Sequence, residues 1–400
     1  MQNEITVKPV ISIIILNWNN WKDTLECLNS VFQMNYPLTN IILVDNNSTD
    51  GSIKQIKDFT RHIPLETVEL SEDEINRSNF EKTGIFKEEI HQKFKNDIHQ
   101  KFILIKNNEN RGFAGGNNVG INFALEYLDP DYILLLNNDT TVDEDLLHEL
   151  LKVAGNNHQV GSIQPVLLNH DASSIDSLGQ ECYSWGAEDI CMGYPLKDHK
   201  DSLKDHKDSL KDHKDSLKDH KGFSDKEIFG SCAAAALYSS EVLRKTGLFD
   251  EDFFVELEDV DLSWKIRLHG YNSFLAGKSR VYHKRGVSSS LSSMDLIKGM
   301  KDEPIIRKWH RQSKNWLVII TRYYPGSVIA RAVFRYPHKV LFTFFRLIYS
   351  SILLGKTRKT CKILRYNLKV RKNVKNNKLW KQIWQKWIKT SPTKCGDMVD

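Results

Sequence analysis

Several apolar runs in this chain stop abruptly at carboxylates and amides. The string LLNNDT at 135–140 drives an apolar strand into Asp139, flanked by Asn137 and Asn138. A hard divalent ion takes oxygen ligands, and one or two protein carboxylates suffice when substrate phosphates supply the rest. Asp139 suits that chemistry; a turn that caps a helix over 142–153 is the structural alternative. The string VDNNSTDGS at 44–52 sets Asp45 directly at a strand end, where it can accept hydrogen bonds from a nucleobase imide or a ribose hydroxyl. Asp50, five residues on, is as well placed to cap the next helix as to meet a ligand. In NRGFAGGNNVG at 110–120 the glycines would let backbone approach a ligand closely, and the helix that follows would offer its N-terminus to a diphosphate or sugar. No Gly-Lys-Ser/Thr follows, so this is not a Walker A loop. FFVELEDVDL at 253–262 places carboxylates beside aromatics at a helix entrance. An acceptor hydroxyl is a poor nucleophile, and a carboxylate within reach removes its proton as the new bond forms. Asp259 is the residue expected to do so. The helix dipole alone accounts for Glu256, Glu258 and Asp261, but not for the adjoining aromatics. His283, in VYHK at 281–284, is either structural or completes a metal site.

Stretches 11–16, 41–44, 102–105 and 132–136 read as buried strands, with helices predicted over 24–33 and 120–128. Continuous apolar strands with helical crossovers imply an α/β fold, a parallel sheet covered on both faces. Ligands bind such sheets at the carboxyl ends of the strands, where the polar strings lie. Further on, 231–238 and 273–282 read as strands, and 239–246 and 258–269 as helices. Two segments break the pattern. The charged stretch 71–101 carries IHQKF at 90–94 and again at 98–102, and reads as a surface helical insertion. Stretch 197–221 is KDHKDSL three times and then KDHK, with one Leu per heptad. A coiled-coil seam needs two apolar positions per heptad, so a solvated loop extension is expected.

The 400 residues suit two domains, and 40% hydrophobic content is enough for a substantial core. The net charge of +5 hides an asymmetry: residues 301–400 hold 24 Lys and Arg against 4 Asp and Glu. That tail also carries Trp309, Trp316, Trp380, Trp384 and Trp387. Basic helices lying on an anionic membrane surface, with aromatics at headgroup level, are the expectation. Nucleic-acid binding ranks lower, and over 301–335 packing on the core is the structural alternative. No apolar run reaches the ~20 residues of a spanning helix; Arg346 divides 340–345 from 347–354. None of the six cysteines forms a CxxC pair, so reduced, structural thiols are expected, and no secretory signal is read at 1–10.

The strings SIIILNWN, ILVDNNSTDGS, NRGFAGGNNVG, LLLNNDT, FFVELEDVDLSWKIRLHG and VYHKRGVSS run in this order across 10–290. Together they resemble glycosyltransferase family 2, especially its rhamnosyltransferase-like members. The resemblance implies a GT-A (Rossmann-like) fold over residues 1–300, followed by a basic helical, membrane-associating region over 301–400. It implies inverting transfer of a sugar, rhamnose or another hexose, from a nucleoside-diphosphate sugar to a hydroxyl of a glycan or lipid-linked acceptor. Asp259 is then the base. Asp45 recognises the nucleotide, with Asn17, Asp50, Gly115, Gly116, Asn118, Asn138 and Glu258 lining the nucleotide-sugar site. Asp139 and His283, with Asn137, would hold Mg²⁺ or Mn²⁺. Asn137 stands where many members carry the first Asp of a DXD motif, as it does in rhamnosyltransferase-like members; a neutral amide is the weaker ligand. The expected location is cytoplasmic, peripheral on the cytoplasmic face of the membrane. Two competitors are a sugar nucleotidyltransferase of similar fold and a non-catalytic membrane-surface nucleotide-sugar-binding protein. The first needs a glycine-rich, Lys/Arg-bearing loop that LNWNN at 16–20 lacks; the second leaves the acidic-aromatic run around Asp259 without a purpose.

Overall fold

Strand β1 (Ile11–Asn17) lies at the centre of the sheet, because its run of isoleucines can be buried on both faces. The computed structural model describes residues 8–63, 65–75, 101–183, 186–195, 223–285, 303–335 and 337–389. Residues 76–100, the bulk of the predicted insertion, and the heptad repeat at 197–221 lie outside the described residues. On one side of β1, strands β2 (Thr39–Asp45), β4 (Lys101–Lys106) and β3 (Glu66–Ser71) follow in that order, all parallel. On its other side lies β5 (Tyr132–Asn137), also parallel. The chain thus runs outward from β1 in one direction and returns to its opposite flank, which makes the β1/β5 boundary the topological switch point.

Beyond β5 the sheet changes sense. Strand β12 (Ala235–Ser239) pairs antiparallel with both β5 and β7 (Val160–Asn169), and β13 (Asn272–His283) runs parallel to β7. Short strands β6 (Thr140–Val142), β8 (Ile175–Ser177) and β11 (Lys226–Ile228) complete this sheet. The predicted helix over 142–153 begins only at Leu146, because the β-branched Thr140, Thr141 and Val142 stay extended to pair with β13. Helices α1 (Trp21–Phe32), α2 (Ser52–Thr60), α3 (Gly112–Phe123), α4 (Leu146–Asn156), α5 (Ser240–Thr246) and α6 (Glu258–Leu268) accompany the sheet. Separate apolar clusters fill its two faces, one around Ile13, Leu43 and Leu136, the other around Ile14, Ile105 and Leu135.

The basic tail folds back onto this body. Its helices are α7 (Glu303–Tyr323), α8 (Gly326–Arg335), α9 (Pro337–Leu353), α10 (Thr357–Asn376) and α11 (Trp380–Trp387). The chain then adds β14 (Ile388–Lys389) to a small second sheet with β9 (Gln180–Tyr183) and β10 (Gly186–Asp189). A third apolar cluster joins Trp264, Phe229 and Phe253 of the body to Tyr323, Tyr324, Trp380 and Ile383 of the tail. Trp264 stacks on Tyr323 with ring centroids 4.9 Å apart, and the indole N–H groups of Trp380 and Trp384 both donate to the Tyr323 carbonyl. Trp309 and Trp380 are buried, and Trp316, Trp384 and Trp387 pack against the third cluster. These five rings are thus core and packing residues, not the headgroup-level aromatics the sequence suggested. A buried indole needs both apolar contact and a partner for its N–H, and the fold supplies both to Trp380 and Trp384. The apolar surface the tail leaves open lies mostly on α9, with Val333 and Phe334 on α8 and Tyr366 and Leu368 on α10. No helix among the described residues is long and apolar enough to cross a membrane. Cys27, Cys182, Cys232 and Cys361 are free, whereas Cys191 is disulfide-bonded, against the expectation of reduced thiols throughout. Disulfide pairing depends on proximity in space, which spacing along this sequence does not encode.

Candidate functional site

Three parallel strands end level with one another beside the switch point. In register, Asn17 faces Asp45, and Leu16 faces Asn137. All three strand ends are polar: the Asn17 and Asp45 side chains bond each other, and that of Asn137 meets His283. The Asn17 amide donates to Asp45 Oδ1 (2.7 Å) and to Ser48 Oγ (3.1 Å), and its Oδ1 accepts from the Thr24 hydroxyl (2.8 Å). Thr24 in turn accepts from the Asn138 amide at 2.9 Å. One hydrogen-bonded chain therefore runs from Asp45 through Asn17 and Thr24 to Asn138, the neighbour of Asp139. The Ser48 N–H donates to the other Asp45 oxygen, and Asp45 and Asn17 are both buried. Asn46 saturates its amide on Asn110, Gly112, Asn107 and Arg111, and so fixes the 107–112 turn against β2.

A second set of charges meets this row from β13. Nε2 of His283 lies 3.1 Å from Asp139 Oδ1 and 3.4 Å from the Asn137 amide, and its Nδ1 lies 2.8 Å from Asp176 Oδ2. Burial disfavours the charged ring, but hydrogen bonds to Asp139 and Asp176 outweigh it and carry the pKa up to about 9. The two carboxylates thus favour the protonated ring, and an ion that takes Nε2 as a ligand must displace its proton. Asp139 and Nε2 of His283 are donors of the right kind for a divalent ion, and Asn137 adds a weaker oxygen. Among the described residues no three His, Cys, Asp or Glu side chains assemble as a complete cage. The donor set therefore fits an ion that also takes ligands from a diphosphate. Arg285 pairs with the other Asp176 oxygen and, at 3.2 Å, with Asp189.

Asp259 enters from the first turn of α6. It accepts from its neighbour's N–H at Val260 (2.8 Å) and from the Ala233 N–H (3.2 Å). The next residue, Ala234, accepts from the Asn137 N–H at 2.8 Å, so Asp259 and Asn137 bracket one two-residue segment. The carboxyl of Asp189 also lies within the field of Asp259: burial, and then the Asp259 charge, push its pKa up to about 6. Burial raises the Asp259 pKa too, while the N–H groups of Ala233 and Val260 restrain the rise. Asp259 and the backbone of Asn137, two residues before Asp139, thus share the 233–234 segment, and Asp45 is linked to Asn138 through Asn17 and Thr24.

Other predicted residues have different employment. Asp50 is exposed, and its carboxylate accepts from the Ser52 N–H and hydroxyl at the start of α2. Gly115 and Gly116 lie inside α3, not in a loop before a helix at 120. A β-carbon at Gly116 would lie 2.5 Å from Leu16, and one at Gly120 would lie 2.8 Å from Ile14, so these two glycines bring α3 onto the sheet. Gly115 is crowded by Arg111 of its own turn. Asn118 is buried with both ends of its amide used on Phe249 and Glu251, so it ties α3 to the 249–251 turn. Glu258 is buried, and desolvation followed by the Asp259 charge raises its pKa well above the usual carboxylate range. Asp176, Asp189 and Arg285 belong to the constellation but carry no local signal. Each sits in ordinary strand or loop sequence and becomes conspicuous only once β8, β10 and β13 meet.

Comparison with known proteins agrees with this geometry. The profile of glycosyl transferase family 2 matches residues 12–72 and 87–246, more than half of the chain. Over 170 residues, 42% of this chain, the sequence is 25% identical to the low-salt glycan biosynthesis hexosyltransferase Agl10 of Haloferax volcanii. That match spans 47% of the relative, so the chain covers about half the length of that protein. The fold is similar to that of GalNAc-T7, solved with UDP, GalNAc and Mn²⁺, with a TM-score of 0.50 at 14% identity over 80% of this chain and 48% of that one. The mannosyltransferase PcManGT of Pyrobaculum calidifontis, solved with GDP-Man and Mn²⁺, aligns over 95% of this chain and 89% of that one, at 13% identity and a TM-score of 0.45. The ordered strings of the sequence, the switch-point sheet they build and the extent of the profile match lead to one conclusion: this chain belongs to glycosyl transferase family 2, and is a glycosyltransferase of GT-A fold.

Proposed function

We propose that the enzyme transfers a hexose, rhamnose being one candidate, from a nucleoside-diphosphate sugar to a hydroxyl of a glycan or lipid-linked acceptor, with inversion at the anomeric carbon. The observation that carries this reading is that Asp259 and Asn137, the end of the strand that leads into the Asp139–His283 pair, both bond the 233–234 segment. Asn17 and Asp45 are assigned to the nucleoside, since both close the β1/β2 end of the row. Asp139 and His283, with Asn137, would hold Mg²⁺ or Mn²⁺, whose charge offsets that of the departing diphosphate. Asp259 accepts the proton of the acceptor hydroxyl as that oxygen bonds to the anomeric carbon. The bond from that carbon to the diphosphate oxygen breaks, its electron pair leaves with the diphosphate, and a single displacement inverts the centre. The relatives support the donor and the metal by analogy: GalNAc-T7 was solved with UDP and Mn²⁺, and Agl10 is named a hexosyltransferase of glycan biosynthesis. A panel of nucleotide-sugars with Mn²⁺ tests the reading. One donor should raise the melting temperature in a metal-dependent way and pass its sugar to a lipid-linked glycan. Pyrophosphate release from a nucleoside triphosphate and a sugar phosphate would favour a nucleotidyltransferase instead.

The acceptor reading carries a location with it, peripheral on the cytoplasmic face of a membrane. Between residues 304 and 389 the chain has 22 Lys and Arg and no Asp or Glu. On α9, Leu341, Phe345, Ile348 and Ile352 recur at helical spacing and are each more than half exposed, and Phe334 on α8 is 93% exposed. An apolar helix face amid positive charge suits the interface of an anionic bilayer. In this reading residues 1–300 carry the chemistry, and the open face of the 301–400 helices supplies the membrane contact. The protein should float with vesicles containing phosphatidylglycerol and not with pure phosphatidylcholine. Leu341→Glu combined with Ile348→Glu should lower the bound fraction at least tenfold; undiminished flotation of that variant would exclude α9 as the contact.

A further inference from the structure

The five residues before Asp259 hold an uncommon backbone. Phe254, Glu256 and Leu257 have φ of +67°, +74° and +69°, and none of them is Gly or Asn. Such conformations are costly for L side chains and persist only where the surroundings fix them. The surroundings here come from the basic tail. Asn315, on α7, is fully buried, and its amide nitrogen lies 3.1 Å from the carbonyl of Phe253, 2.9 Å from that of Val255 and 2.7 Å from that of Glu256. Two N–H bonds are shared among three carbonyls of one strained segment. The Asn315 oxygen is buried without a hydrogen bond among the described residues, so holding this segment is the whole of what the amide does. Lys314 adds a bond to the Asp252 carbonyl, and the Gln312 amide reaches Glu256 Oε1 at 3.3 Å.

The opposite side of the segment is equally constrained. The Phe254 carbonyl accepts from the Ala114 N–H at 3.1 Å. A β-carbon on Gly112 would collide with that carbonyl and with the Phe254 ring. The segment is therefore wedged between α7 and the start of α3, and it leads into Asp259 through Leu257, the residue preceding α6.

We propose that Asn315 is a positioning residue for the transfer step: it holds the 253–257 turn, with its positive φ at Phe254, Glu256 and Leu257, and so aims the Asp259 carboxylate at the acceptor. This rests on Asp259 being the base. A displacement of about 1 Å at a reacting group can cost on the order of 10²-fold in rate.

The test uses the full-length enzyme and the variants Asn315→Ala and Asn315→Asp. The second keeps the shape of the side chain and removes its N–H donors, so it also serves if the alanine variant fails to fold. The expected result is a fall in kcat of roughly 10- to 100-fold, with donor affinity within about twofold of the parent. Amide hydrogen exchange should accelerate at 253–257 while α10 and the sheet keep their protection. That combination separates aiming from general support, which would lower protection throughout. A kcat within about twofold of the parent in a folded variant would overturn the proposal, as would a parallel loss of donor binding and global protection. Asp259→Asn, assayed alongside, separates the two readings. Full turnover by Asp259→Asn defeats the base assignment itself. Loss of turnover there, with Asn315→Asp fully active, defeats only the clamp.

Discussion

Asp259→Asn should retain nucleotide-sugar binding within about twofold and lose transfer by a factor on the order of 10²–10⁴, the usual worth of a positioned general base. The substitution is nearly isosteric. Asparagine keeps one of the two acceptors: its oxygen can take the Val260 or the Ala233 N–H, which meet Oδ1 and Oδ2 separately in the parent, so the entrance to α6 loses one bond and keeps its shape. What the amide cannot do is take a proton. The environment favours that task, because burial raises the Asp259 pKa above its ordinary value and makes the ionised group a stronger base. The sign for activity follows directly. The ionised form is the active one, so transfer should rise as pH climbs through a raised pKa, and the acid limb should lie above the usual carboxylate range. The Asp259 charge also raises Asp189, to about 6, and Glu258, so the limb reflects this group of carboxyls and not Asp259 alone. Initial rates across the acid and neutral range, with donor titrations on the same samples, test this. Equal turnover by the variant, or an acid limb that survives it unchanged, would remove Asp259 from the chemistry.

Asp139→Ala should act on binding where Asp259→Asn acts on turnover. Donor affinity in Mn²⁺ should fall at least 10- to 100-fold, the loss that even an outer-shell change to a metal site commonly brings. Affinity without metal should hardly change. The reasoning is electrostatic. Asp139 and Asp176 converge on His283 from its two nitrogens, and removing the first leaves His283 with Asp176 and the Asn137 amide and deletes the principal carboxylate ligand. Calorimetric titration with and without Mn²⁺ reads both numbers. Identical donor affinity for parent and variant in both conditions would show that Asp139 serves the fold alone.

The parts of the site that could be read in advance are those where local chemistry and sheet geometry coincide. An apolar strand that ends in Asp must deliver that carboxylate to the carboxyl edge of the sheet, and Asp45 and Asp139 are there for that reason. The α3 glycines misled because Gly and Asn are poor helix formers and read as loop. Contact with Leu16 and Ile14 leaves no room for a larger side chain and overrides that propensity. The tail tryptophans misled because basic-aromatic composition is shared by membrane-surface helices and by helices that bury one face. Only packing against Trp264 and Tyr323 separates the two. Asp176, Asp189 and Arg285 had no signal, since they meet through pairing of strands over a hundred residues apart. The positive φ values at Phe254, Glu256 and Leu257 were equally hidden, because those residue types ordinarily avoid that region.

A crystal structure with Mn²⁺, the preferred nucleotide-sugar and the Asp259→Asn variant tests the convergence most directly. The account predicts the ion bound by both Asp139 and His283, the nucleoside against Asn17 and Asp45, and residue 259 facing the anomeric carbon from the side opposite the diphosphate. An ion held elsewhere, or a donor whose anomeric carbon is turned away from residue 259, would contradict it.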